Sequence, residues 1–234
     1  MRWVLLILVW RLHAQELGAF AFADAAGVRL ISTANPVNPG SLHTAICGGA
    51  RVPVTFERRQ EGQESRQTAK NFDRLAGHVY RVQGKVAGGS TCFLAADGLA
   101  PVTAEGADCK QVGGVRPRAV TNCWTLASSP ALLVQFAHQG TDALASVVVR
   151  DGARLLFADF PAKFRGEGED IWRVDDGGEL DPQYIRVVFL LRRGASIVLG
   201  IDWAGTEGND LSVFVSDVDR FTKAIDDYWY RAPE

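Results

Sequence analysis

The sequence has no apolar run near the roughly 18 residues that a membrane-spanning helix needs. Its longest, Trp3 to Trp10, is only eight. It has no basic excess either: 25 Lys plus Arg stand against 27 Asp plus Glu, a net charge of −2. A nucleic-acid-binding surface, which works by neutralising phosphates, is not expected on that balance. No repeat of about 20–50 residues recurs, so solenoids and propellers are excluded. No C-x-x-C pair occurs, which removes zinc ribbons and thioredoxin-like redox motifs. G-x-S-x-G, Walker, H-E-x-x-H and strand-following G-x-G-x-x-G motifs are also missing, and no family resemblance is evident.

What is present is an ordinary globular composition, 47% hydrophobic and 22% charged, long enough to bury a substantial core. Arginine outnumbers lysine 20 to 5, but the arginines are scattered, which fits genome composition better than an anion site.

The N-terminus carries the clearest signal. Arg2, the apolar run and then Ala14 have the layout of a secretory signal peptide. Cleavage is expected after Ala14, leaving Gln15 first, although Leu12 is bulky for the position three before the cut. Ala19-Phe20-Ala21 has better small-residue spacing but lies beyond Glu16. The expectation is an exported protein, periplasmic or extracellular, with residues 1–14 removed and 15–234 forming one β-rich domain. The alternative is a protein held at the membrane by an uncleaved N-terminus. Ser128-Ser129-Pro130 marks the place where the chain would divide if it had two units.

Cys47, Cys92, Cys109 and Cys123 are an even set behind that signal, which predicts two disulfides. Three pairings exist; the one preferred joins Cys92 with Cys109 and Cys47 with Cys123.

The pattern along the chain predicts a mainly β fold. An antiparallel meander of about six strands, sandwich or barrel-like, carries a C-terminal packing helix, which leaves α+β open. Residues 51–56 read as a short edge strand and 57–71 as a solvated polar segment ending in a short helix. Strands follow at 78–85 and 91–95, then a disulfide-tied loop over 97–118. Asp151-Gly152 and Arg192-Arg193-Gly194 mark two hairpins, between strands 143–150 and 153–160 and between strands 184–191 and 195–203. Runs such as Val147-Val148-Val149 and Val187 to Leu191 lack alternation, which requires cover on both faces. That cover is expected from a helix capped by Ser216, with Val218, Phe221, Ile225 and Tyr228 or Trp229 on one face.

Candidate chemistry concentrates in two acidic loops. Asp175, Asp176, Glu179 and Asp181 around Gly177-Gly178 could hold calcium, which wants six to eight oxygens. No other cofactor is expected. Trp203, Glu207, Asn209 and Asp210 form a second set, in which an exposed indole beside carboxylates could bind a sugar or cut a glycosidic bond. Ser90 or Ser41, His78 or His138, and Asp142 are raw material for a nucleophilic triad. His43 and Cys47, four apart, are raw material for a thiolate–imidazole pair. The leading expectation is a non-catalytic binding module for a protein or glycan partner in the envelope or outside the cell. A carboxylate hydrolase and a β-barrel carrier of a small apolar ligand are the alternatives.

Overall fold

The computed structural model describes residues 17–36, 38–102, 105–127, 129–164, 170–172, 180–217 and 220–231. Six antiparallel strands close into a barrel: β1 (Gly18–Ala23), β2 (Arg29–Ser32), β3 (Thr44–Cys47), β4 (Ala50–Gln60), β5 (Gly77–Val82) and β6 (Thr91–Ala95), in the order β1-β2-β5-β4-β3-β6. The sequence of β1, GAFAFA, shows how this works. Successive side chains take opposite faces. Ala21 and Ala23 point inward beside Leu30, Ala45, Tyr80 and Leu94, while Phe20 and Phe22 point outward. The lumen is filled by these side chains and by the disulfide Cys47–Cys92.

After the barrel come β7 (Ala100–Pro101), a one-turn helix α1 (Cys109–Val112), β8 (Val120–Thr125), β9 (Leu132–Gln139), β10 (Asp142–Asp151), β11 (Arg154–Phe164) and β12 (Asp170–Ile171). Then follow β13 (Ile185–Arg193), β14 (Ser196–Ala204), β15 (Gly208–Ser216) and β16 (Phe221–Tyr230). They form two sheets, an outer one ordered β12-β11-β10-β9-β8 and a central one ordered β16-β15-β14-β13-β7. The strands flanking residues 126–131, β8 and β9, pair with each other.

The central sheet lies between two layers. Phe189, Val198, Val213 and Trp229 pack on Phe20, Phe22 and Phe93 of the barrel. Ile197, Leu199, Ile201 and Phe214 pack on Leu133, Val147 and Leu156 of the outer sheet. Cover on both faces is what the unbroken apolar runs require. For Val187 to Leu191 the barrel and the outer sheet supply it in place of a long helix. On β10 the central sheet covers Val147 and Val149, while Val148 packs with Val112 of α1 and Phe136 on the other face.

The expected C-terminal helix is therefore corrected: Phe221–Tyr230 is a strand, paired along its length with β15. The apolar residues Phe221, Ile225 and Trp229 step by four, and a step of four is even, so it suits period 2 as well as period 3.6. A bulge decides the faces. The register passes from Phe214↔Lys223 to Val213↔Ile225, skipping Ala224. Phe221 thereby joins the core under the outer sheet, and Trp229 the core under the barrel. Burying one large side chain is worth about 1.5–3 kcal/mol. Helix propensities differ by only a few tenths per residue, so packing wins.

Two more expectations are corrected. β4 is not a short edge strand: it runs eleven residues, through the polar segment 57–60, between β3 and β5 of the closed barrel. Its solvent face is polar because a barrel wall has an outside. The disulfides pair Cys47 with Cys92 and Cys109 with Cys123. Cys47 and Cys92 are cross-strand neighbours on β3 and β6, and Cys109 on α1 ties to Cys123 on β8. Both hairpins stand as expected, with Gly152 at φ 60° and Gly194 at φ 58° in the turns.

Candidate functional site

The second acidic set does not form an open sugar site. Trp203 is 3% exposed and meets Phe160 edge-on at 5.4 Å. It ends a strand, but that strand is covered on both faces, so the expected exposed indole is corrected to a core residue. Asn209 is buried, Asp210 half-buried and Glu207 exposed.

Asn209 instead joins a buried polar group centred on Asp202, which is 1% exposed. Asn209 Nδ2 donates to Asp202 Oδ1. Thr91 Oγ1, from the barrel, donates to Oδ2 at 2.8 Å, and an Arg186 terminal nitrogen lies 3.5 Å from the same oxygen. Arg231, just past β16, sits over Trp229 at 5.1 Å and Phe22 at 5.9 Å. Burial lowers its pKa, and the nearby Asp202 carboxylate opposes that shift. A buried carboxylate held by three donors from the barrel and the central sheet joins the layers together. Nothing about it presents a reacting atom to solvent.

Asp175, Asp176 and Glu179 lie outside the described residues. Asp181 accepts from Gln183 N at 2.8 Å and so caps the single turn Pro182–Tyr184. Among the described residues no group of three His, Cys, Asp or Glu side chains is placed to hold a metal ion.

The triad candidates have other partners. Ser90 Oγ donates to Ala87 O and Ser41 Oγ to Asn38 O. His78 Nδ1 lies 3.2 Å from Ala34 O, and Asp142 pairs with Lys163. The His43–Cys47 pair is corrected as well, since Cys47 is a half-cystine.

A groove of about 450 Å³ lies between the barrel and the edge of the central sheet. Residues 18–20 of β1, 33–36 after β2, and 224–227 of β16 line it. Successive strand residues point to opposite faces. A lining of three and four successive residues is therefore made by strand edges. β16 is the last strand of its sheet. β1 meets β2 only at Phe22 and Ala23, because β2 ends at Ser32 and the chain turns into 33–36. Among the described residues, 18–21 have a strand neighbour on the β6 side alone, and all four are buried.

The groove is acidic. Asp226 and Asp227 line it, and among the described residues no Lys, Arg or His does. Asp226 is exposed and pairs with Lys223 at 3.0 Å. The Asp227 carboxyl is raised above the ordinary carboxylate range, first by burial and further by the neighbouring Asp226 charge. The Tyr228 N–H, donating at 2.9 Å, opposes this. So does the Trp229 indole, which stops short of hydrogen-bond geometry.

This groove is not legible in the sequence, where 224–227 fall on the expected helix and Ala19-Phe20-Ala21 reads as a second place for cleavage. Only the strict alternation of GAFAFA could have signalled a strand there. No protein-family model matches the chain, and no curated protein and no solved structure matches it either.

Proposed function

We propose that this chain is an exported binding module that takes up an extended segment of another protein by strand addition in the β1–β16 groove. One observation carries the reading: β16, the last described strand of its sheet, lines a groove with residues 224–227, together with residues 18–20 of β1. Strand edges present backbone N–H and C=O groups at strand spacing, and an extended peptide satisfies them without regard to sequence. The packed lumen favours this over the carrier, and the buried Trp203 favours it over a glycan site.

Two disulfides support an oxidising compartment, and no helix among the described residues is long and apolar enough to cross a membrane. Intact mass from an exporting host tests export: loss of residues 1–14 with four blocked thiols is expected, and a full-length mass with four reactive thiols refutes it.

Binding is tested by selecting a displayed random dodecapeptide library on the full chain. A selected peptide is then N-methylated at alternate amides, in each of the two phases. Strand pairing predicts that one phase abolishes binding and the other spares it, with amide-exchange protection at 224–227. No selected peptide, or two phases that bind like the parent, overturns the reading.

A further inference from the structure

We propose that the segment entering this groove carries a lysine or arginine, whose cation seats at Asp226 and Asp227; this rests on the strand-addition reading. Backbone pairing at a strand edge cannot tell one side chain from another. Selection must come from what else lines the groove, and among the described residues its charged lining groups are these two carboxylates.

Among the described residues no cation pairs with Asp227, and the neighbouring charge acting on it is the like charge of Asp226. A neutral segment would remove water from that carboxylate and return no partner, which is costly. An acidic segment would add a third like charge. Asp226 already pairs with Lys223 at 3.0 Å, so a basic residue supplies the counter-charge that Asp227 lacks, and the groove selects by repulsion as well as attraction. The walls suit the long stem of such a residue. Gly18 and Ala224 are small, and the half-buried Ile225 offers apolar surface to methylene groups while the charged head reaches the acidic end.

The test uses the full chain and capped hexapeptide pools with a Val/Thr/Ser background and one fixed position, either Lys, Arg, Gln or Glu. Binding is read by fluorescence anisotropy. The Lys and Arg pools are expected to bind at least about tenfold more tightly than the Gln pool, and the Glu pool least tightly. In Asp227→Asn the Lys-over-Gln preference should fall to within about twofold while the Gln pool still binds. Asp226→Asn, at an exposed position, gives a second reading should Asp227→Asn fail to fold. Equal binding of Lys and Gln pools by the wild type overturns the cation proposal and leaves strand addition standing. A preference that survives in both Asn variants also overturns it. Binding of no pool at all overturns both.

Discussion

Thr91 and Asp202 are 111 residues apart in the chain, and the hydroxyl of one donates to the carboxylate of the other at 2.8 Å across the boundary between the barrel and the central sheet. Thr91→Val keeps the shape and removes the donor. Hydrogen bonds to charged groups are worth roughly 1.5–3 kcal/mol, so the loss should be of that order. Asp202→Ala is expected to cost more, about 3 kcal/mol, because it removes the acceptor of Thr91 and Asn209 and the carboxylate beside the half-buried Arg231. Urea unfolding of the two variants checks the ranking. Equal small losses would mean that the layers hold together without this carboxylate.

Gly200 on β14 is overlaid by the ring of Phe189 on β13. A Cβ built at Gly200 would stand 2.1 Å from Phe189 Cε1. The ring is itself fixed against Phe93 of the barrel, centroids 4.3 Å apart. Gly200→Ala must displace that ring or bend the strand, at a cost of about 1–3 kcal/mol. Near-neutral behaviour in thermal unfolding would show that Phe189 has somewhere else to go.

Tyr80 places its hydroxyl in the barrel lumen, where no partner accepts from it among the described residues. Burial pushes its pKa up to about 12. The folded-state value lies above the unfolded one of about 10. Its contribution to stability is therefore complete below about pH 10 and is lost as pH rises towards 12, to the extent of roughly 2–3 kcal/mol. Stability measured from pH 9 to 12 should fall less steeply in Tyr80→Phe. Identical slopes would place the phenol in contact with solvent.

The two disulfides close loops of different length, with sequence separations of 45 and 14. Chain entropy then predicts a loss of about 4 kcal/mol for removing Cys47–Cys92 and about 3 kcal/mol for Cys109–Cys123. The pairing itself is read by non-reducing mass mapping. A cut after Glu105 is needed, since trypsin alone leaves Cys92 and Cys109 on one peptide. A fragment linking Cys92 to Cys109 would refute the pairing described here.

Much of the second half is legible in the sequence because its contacts are local. Asp151-Gly152 and Gly194 specify hairpins through backbone conformations that few other residues adopt. The strands beside them carry their own apolar pattern, and successive strands pair with their neighbours in the chain. The barrel is harder to read. β1 pairs with β6 about 70 residues later, and residues 18–23 are too few to announce a closing strand. The candidate site suffers most, since it is made of a strand start, a post-strand loop and a strand edge that meet only when the layers pack.

Residue pattern alone specifies a β protein with two tight hairpins and strands covered on both faces. Those properties follow from side-chain periodicity and turn stereochemistry, which act within a few residues. Tertiary structure alone decided that Phe221–Tyr230 is a strand, that Trp203 is core, that Cys47 bonds Cys92, and that β1 and β16 line one groove at Asp227. Each of these depends on which layer lies opposite. A step of four fits helix and strand alike, and burial against the barrel and the outer sheet, worth far more than local propensity, makes the choice.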